Sequence, residues 1–355
     1  MKTSSSHILK NNWYVAAFSR EVGEKLLARK LLGTPVVLYR TSNGVVAALE
    51  DRCAHRMLPL SAGYLHEDHL VCGYHGMTFN AEGQCIRVPG ESKIPLNACV
   101  RTFPVVERDR LIWIWMGEAA AADPVLVPDF GRLNDPGWTA VHFYDLLKAD
   151  YRLLIDNLLD LSHLTFLHGR TIGTAAVAEA PVEVKQEGEH LSVHRDIVGA
   201  LAPPFFARQG NFKKPVKRWQ TTNYLAPSIC VIEVGCNALE PGDGLGMIEG
   251  AAHHLATPET EETTHYFFVF VRSHRLDDEP LSEFIRDSVN VTLGEDKMAL
   301  ELQHSVLSPA ERDNPVVAAI AADSAPIRGR RILERQLARE RMQVGSAASP
   351  ATNQQ

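Results

Sequence analysis

The sequence predicts an α+β protein of two unlike parts: a small all-β domain over residues 1–118, then an antiparallel sheet with helices over 119–342. Three observations predict it. Up to residue 118 the apolar residues come in short runs punctuated by Gly and Asn, with no long helical period. Residues 149–169 and 281–307 carry apolar residues at helical spacing, and strand-like runs fill the stretch between them, so strands and helices are segregated rather than alternating. Between the two parts lies AAAADPVLVPD (119–129), small residues followed by prolines, which reads as a connector.

The strands expected in the first part are PVVLYR (35–40), VVAALE (45–50), HLVCGYH (69–75) and LIWIWMG (111–117). In the second part ADYRLLIDNLLDLSHLTFLHG (149–169) reads as a helix ending on Gly169, a common stop. VEVKQ and HLSVHRD follow as strands joined by a Glu-Gly turn, then YLAPSICVIEV (224–234) and THYFFVFVR (264–272). LSEFIRDSVNVTLGEDKMALELQHSVL (281–307) is the next helix, and RGRRILERQLARERM (328–342) a terminal helix with a charged face. The small and polar tail, 343–355, is expected to be disordered.

With 45% hydrophobic residues, 22% charged residues and a net charge of −7, the composition is that of a globular protein, and it gives no reason to expect nucleic acid or an acidic membrane as partner. The N-terminal stretch has no apolar core of signal-peptide length, and no segment reaches the roughly 18–20 apolar residues of a membrane span. The chain therefore reads as cytoplasmic, where thiols stay reduced. Cys85, Cys99, Cys230 and Cys236 read as spectator thiols.

The other two cysteines stand beside histidines. Cys53-Ala54-His55 and Cys72-Gly73-Tyr74-His75 each supply one thiolate and one imidazole. Such a set can hold zinc or an iron–sulfur cluster, but zinc ribbons favour paired C-x-x-C knuckles. One Cys and one His from each arm suits a binuclear cluster in which the thiolates hold one iron and the imidazoles the other. Neutral imidazoles also raise the cluster's potential, so it can accept electrons from a ferredoxin-like donor.

A second constellation lies in 149–169. Asn157, Asp160 and His163 recur every three residues and would share a helix face, whereas His168 can join them only if the helix distorts or ends near Gly169. Polar groups on a leucine-rich helix need partners when buried. Two histidines need a carboxylate to complete the 2-His-1-carboxylate triad that holds Fe(II) and leaves positions open for O2.

CAHRMLPLSAGYLHEDHLVCGYHGMTF closely resembles the Rieske domain of aromatic-ring oxygenases, with Met77 where Trp or Leu is frequent. The pattern D-x-x-H-x-x-x-x-H over Asp160, His163 and His168 resembles the mononuclear iron motif of the same family. The resemblance runs over roughly 11–342 and is nearest to the oxygenase components of vanillate O-demethylase, with toluenesulfonate methyl-monooxygenase and dicamba O-demethylase as neighbours. It implies a helix-grip catalytic domain, a 2Fe–2S cluster on Cys53, His55, Cys72 and His75, and one Fe(II) on His163, His168 and an acid from a late helix. There GEDKMALELQ offers Glu295, Asp296 and Glu301, and the family's pattern selects Asp296, with Glu295 in reserve. Asp160 is implied to bridge His163 to His75 of a neighbouring subunit in a head-to-tail homotrimer; Asn157 faces the iron as a weak contact or a structural hydrogen bond. His254 matches a position where one relative places a substrate contact.

No G-x-G-x-x-G nucleotide fingerprint follows a strand, so NAD(P)H belongs to a partner. The resemblance implies a reductase with flavin and a plant-type 2Fe–2S centre, or a ferredoxin plus reductase. The expected reaction is O2-dependent demethylation of a methoxylated aromatic acid to a phenol and formaldehyde. Hydroxylation of an aryl methyl group or ring carbon is the alternative at the same iron. A Rieske electron carrier with a ligand-binding domain is the alternative of another class; it would need no second metal triad.

Overall fold

In the computed structural model, residues 7–316 and 318–347 are described, and they fall into two compact units. One is Lys10–Gly131 with Thr257–Thr260. The other is Arg132–Ala256 and the chain from Glu261 on, with the segment ending at Leu9.

The first unit holds ten short strands: β1 (Trp13–Phe18), β2 (Leu27–Leu31), β3 (Thr34–Arg40), β4 (Val46–Glu50), β5 (Tyr64–His66), β6 (His69–Val71), β7 (Thr78–Phe79), β8 (Cys85–Arg87), β9 (Val105–Arg108) and β10 (Leu111–Trp115). They form three antiparallel sheets, ordered β1-β10-β9, β2-β3-β4 and β5-β6-β7-β8. The strand expected over 69–75 stops at Val71, because Cys72–His75 turn out of it as a loop. The stretch 119–131, expected to act as connector, packs within this unit: Trp13 Nε1 donates to the Asp123 carbonyl at 2.8 Å, Arg108 Nη1 to Val127 O at 2.7 Å, and the Phe130 N–H to Asp109 at 2.7 Å.

The second unit is a seven-stranded antiparallel sheet with helices. Its strands are β11 (Thr139–Leu147), β12 (Glu183–Glu187), β13 (His190–Leu201), β14 (Pro215–Leu225), β15 (Ile229–Ala238), β16 (Met247–Pro258) and β17 (Thr264–Arg272), in the order β11-β17-β16-β15-β14-β13-β12. Strands β12 to β17 meander, and β11 closes the end by pairing with β17. The single strand expected over 224–234 is two, β14 and β15, with the turn at 226–228; Pro227 has no N–H to give a ladder.

The helices are α1 (Tyr151–Leu159), α2 (Leu164–Leu167), α3 (Ala175–Glu179), α4 (Pro204–Gly210), α5 (Glu279–Val306), α6 (Pro309–Asp313) and α7 (Ser324–Ala347). The one helix expected over 149–169 is therefore broken. α1 ends at Leu159, Asp160 is extended (φ −118°, ψ 95°), and a 3-10 turn over Leu161–His163 leads into α2. Asp150 caps α1 by accepting from the Arg152 N–H, and Asp156 fixes α1 to α7 through Arg330 at 2.6 Å. In α5, Leu281, Ile285, Val289, Leu293, Asp296 and Leu300 are buried at helical spacing, so one acid shares a stripe with apolar residues. α7 starts earlier and runs further than the helix expected at 328–342, and the rest of the tail, 348–355, lies outside the described residues. Among the described residues no helix is long and apolar enough to cross a membrane.

Candidate metal centres

The first centre is built by two loops that repeat one hydrogen-bond pattern. In Cys53–Leu58 the Cys53 N–H donates to Leu58 O (2.9 Å) and the Met57 N–H donates back to Cys53 O (3.0 Å). In Cys72–Met77 the Cys72 N–H donates to Met77 O (2.8 Å) and the Gly76 N–H to Cys72 O (3.0 Å). The fourth residue after each cysteine is left-handed, Met57 at φ 62° and Gly76 at φ 69°. This fold of the loop turns both thiols inward, where Cys53, Cys72 and Met77 belong to the core with Leu60, Leu70 and Phe79.

The chemistry of these donors fits a 2Fe–2S group. Burial raises the Cys53 thiol's pKa, the backbone N–H groups of His55 and Arg56 oppose that, and the adjacent Cys72 thiol adds to it. Two thiols thus lie together on the inner side. His55 and His75 are exposed, with ring centroids 4.6 Å apart, on the outer side. A pair of sulfur donors beneath a pair of nitrogen donors matches the division of ligands that such a cluster requires.

In the second unit, the break after α1 brings together residues that a straight helix would separate. His163 follows the 3-10 turn and His168 caps the end of α2, so their rings stand 5.2 Å apart at 75°. Asp296 reaches them from α5: its Oδ1 lies 3.1 Å from His168 Nε2 and 3.5 Å from His163 Nε2. One donor atom from each of His163, His168 and Asp296 lies within 4.8 Å of the others. Asn157, in the last turn of α1, places its Nδ2 3.1 Å from the same Asp296 oxygen. Gly173 lets the loop close: a Cβ there would sit 1.9 Å from Leu164 O, and its N–H donates to His168 O.

The outer nitrogens of both rings are occupied. His163 Nδ1 meets the Asp160 carbonyl at 2.6 Å, and His168 Nδ1 meets Glu295 Oε2 at 2.8 Å. The acceptors at both Nδ1 atoms hold the rings so that both Nε2 atoms point at Asp296, the three donors turned toward one point as a metal requires. Burial opposes ionisation of Asp296, yet His163 and His168 hold its carboxyl well below the usual carboxylate range. Burial also lowers the proton affinity of His168, and the Asp296 and Glu295 carboxylates more than reverse this. A buried cluster with such a demand for positive charge fits Fe(II) with its 2-His-1-carboxylate preference.

The remaining expected residues are placed as follows. Glu295 supports His168 from behind, and Glu301 accepts from the Lys148 N–H, away from the cluster. The Asp160 carboxylate does not face the His163 ring. Because Asp160 caps the turn that follows it, Oδ1 takes the Ser162 N–H and hydroxyl, and only its backbone carbonyl meets His163. His254, on β16, is buried and pairs with the Tyr266 hydroxyl; burial pushes its pKa down to about 3, so it is neutral.

His163, His168 and Asp296 open onto a cavity of about 100 Å³. Its wall is largely apolar, including Leu158, Leu161, Phe268 and Phe270, with His254, Arg218 and Gln220 among its few polar groups. Sequence reasoning missed Arg218 and Gln220. Period-two alternation along β14 could have found them, since it places Val216, Arg218, Gln220, Thr222 and Tyr224 on the buried face.

Comparison with known proteins agrees with this division. Residues 12–104 match the Rieske [2Fe-2S] domain, and residues 147–339 match the vanillate O-demethylase oxygenase C-terminal domain. The chain is 37% identical to the toluene-4-sulfonate monooxygenase system iron-sulfur subunit of Comamonas testosteroni, covering 94% of this chain and 98% of that one. It is 37% identical to the oxygenase component of dicamba O-demethylase from Stenotrophomonas maltophilia (92% and 97%) and 34% identical to a vanillate O-demethylase oxygenase subunit of Pseudomonas sp. (95% and 97%). A crystal structure of dicamba monooxygenase bound to 3,6-dichlorosalicylic acid superposes with a TM-score of 0.88 at 36% identity, over 95% of this chain and 99% of that one.

Proposed function

Since the chain belongs to the Rieske non-haem iron oxygenases, in the branch of the vanillate O-demethylase oxygenase components, we propose that it is the terminal oxygenase that demethylates a methoxylated aromatic acid. The observation that carries this reading is the convergence of His163, His168 and Asp296 on the floor of an apolar cavity. Cys53, His55, Cys72 and His75 would hold the 2Fe–2S cluster, and His163, His168 and Asp296 the mononuclear iron. When bound, these groups supply single-electron delivery and O2 activation.

The protein's own part is orientation and exclusion. Leu158, Leu161, Phe268 and Phe270 keep water from the ring that enters, so the substrate's methyl group meets the iron-binding face. Glu295 and the Asp160 carbonyl hold the two imidazoles in their tautomers. His254, neutral and paired to Tyr266, would offer the substrate a hydrogen-bonding edge without a charge. The balance is an aryl methyl ether, O2, two protons and two electrons giving a phenol, formaldehyde and water. The electrons originate from NAD(P)H on a separate reductase, as befits an oxygenase component. Within a head-to-tail trimer the Asp160 carboxylate, half-buried on Ser162, would face His75 of the next subunit.

Formaldehyde release tests this. Purified protein is incubated with a ferredoxin-type reductase, NADH, O2 and a panel of methoxybenzoates. One formaldehyde and one phenol per O2 consumed is the expected result. Benzylic alcohols from toluates, without formaldehyde from any methoxybenzoate, would move the activity to methyl hydroxylation.

A further inference from the structure

The cavity wall carries a full charge that the protein does not neutralise. Arg218 is 2% exposed. Its Nη1 donates to the Ile172 carbonyl at 2.8 Å and its Nη2 to Gln220 Oε1 at 3.1 Å, both uncharged partners. Its Nε is buried with no partner, and the Phe206 ring lies 5.0 Å from its guanidinium carbon. Among the described residues no carboxylate pairs with it; of the groups that act on it beyond its burial, the Cys236 thiol is kept protonated by its own burial, and Arg195 is another cation. A guanidinium has five N–H donors, and two are used here.

Arg218 and Gln220 occupy inward positions of β14, between Val216 and Tyr224, where a sheet of this regularity takes apolar or small side chains. Both line the same cavity as His163, His168 and Asp296. Burial, and Arg195 after it, pull the Arg218 pKa down to about 10, which leaves it charged at neutral pH. A desolvated cation with free donors and no counter-charge is stable only when something supplies that charge. Among the described residues the one carboxylate that lines this cavity, Asp296, is taken up by His163, His168 and Asn157, so the supplier is the ligand.

We propose that Arg218 anchors an anionic substituent of the aromatic substrate, a carboxylate or a sulfonate, with Gln220 fixing the plane of the guanidinium. The planar fork of an arginine matches two oxygens of such a group. The anchor makes this chain a receptor for aromatic anions and sets which end of the ring turns away from the iron. It rests on the demethylase reading only in calling the bound molecule a substrate.

Equilibrium binding under anaerobic conditions tests the anchor without turnover. The metal-loaded protein is titrated by calorimetry with 4-methoxybenzoate, 4-methoxybenzenesulfonate and the neutral 4-methoxybenzamide, which share ring and methoxy group. At least one anion is expected to bind about 100-fold more tightly than the amide, and which one does so distinguishes carboxylate from sulfonate. Arg218→Met should reduce that ratio to within about 3-fold by weakening the anion alone. Arg218→Gln removes the charge but can still donate to the Ile172 carbonyl; it should show the same collapse, which separates the charge from any role in holding the loop and serves if the Met variant does not fold. Equal binding of acid and amide by the wild type, or an undiminished ratio in either folded variant, would overturn the proposal. Formaldehyde is assayed separately: a selective anion site with no demethylation of any methoxybenzoate leaves the anchor standing and removes the proposed reaction.

Discussion

The loops proposed to hold the cluster and the proposed mononuclear site solve the same problem, gathering donors, by different means. Cys53–Leu58 and Cys72–Met77 are short loops that close on themselves with identical backbone hydrogen bonds, so each presents its thiol whatever lies beyond the first unit. His163, His168 and Asp296 converge only because α1 breaks at Asp160, α2 ends at His168 and α5 brings an acid from 128 residues further along. A site made of local loops resists change elsewhere. A site assembled from packed helices inherits every shift in their packing.

The largest effects should come from cutting either set of donors, and they should not cross over. Asp296→Ala is expected to abolish turnover and remove the mononuclear iron, with the visible absorption of the cluster unchanged. Cys53→Ser should bleach the cluster while iron still binds at the other site. Metal analysis beside the absorption spectrum reads both. Loss of both centres in either single variant would mean that the two sites are not independently built.

Next in size is a change that touches no donor. Gly173→Ala places a methyl group against Leu164 O, 1.9 Å away, and must push apart the turn that carries His168. Displacement of a reacting centre by about 1 Å commonly costs about 100-fold in rate. Turnover and iron occupancy should both fall by that order, with the cluster spectrum intact. Wild-type activity in this variant would show that the loop has slack the packing does not suggest.

Asp160→Asn probes the connection between the sites rather than either one. An amide oxygen can still accept from the Ser162 N–H, so the turn and both metals should survive. If the carboxylate links His163's segment to a neighbour's cluster, turnover should drop by about 10- to 100-fold. Reoxidation of the reduced cluster with substrate and O2, followed by stopped-flow, should slow by the same factor. Unchanged reoxidation would leave Asp160 as the cap of the Leu161–His163 turn.

The same contrast explains what was legible in the sequence. The residues proposed to hold the cluster show in the spacing because each loop is a local object. The second site was harder for two reasons. The run of Leu and Ile continues through Asp160, so the helical period hides the break, although Asp160 followed two residues later by Ser162 is itself a capping signal. The acid of α5 that meets the two histidines is set by burial: Asp296 falls on the stripe of Leu293 and Leu300, while Glu295 flanks it and Glu301 leaves it. Arg218 and Gln220 stayed hidden because Trp219 between them looks like the core residue, whereas the alternation of β14 turns the two polar side chains inward. A polar residue on an inward position signals a ligand only once the cavity beside it is known.

The smallest prediction concerns a position at which the two cluster loops share a backbone conformation but not a residue type. Gly76 and Met57 hold equivalent left-handed positions, φ 69° and φ 62°. Glycine adopts that conformation freely, whereas an L side chain is disfavoured there by roughly 1–2 kcal/mol. Met57 is 64% exposed, and its sulfur's contact with Arg52 Nη2 at 2.8 Å is a weak compensation at the surface. Met57→Gly should therefore relieve strain, reduced by the greater freedom that glycine gives the unfolded chain, for a net gain of about 0.5–1 kcal/mol. Gly76→Ala should go the other way by about 1–2 kcal/mol, because it adds the same strain and its Cβ would meet Pro89 Cγ at 3.0 Å. Denaturant midpoints of the two variants measure both signs. A less stable Met57→Gly variant would show that the exposed methionine is held in that conformation by a contact of its own, and that the two loops are alike in backbone but not in purpose.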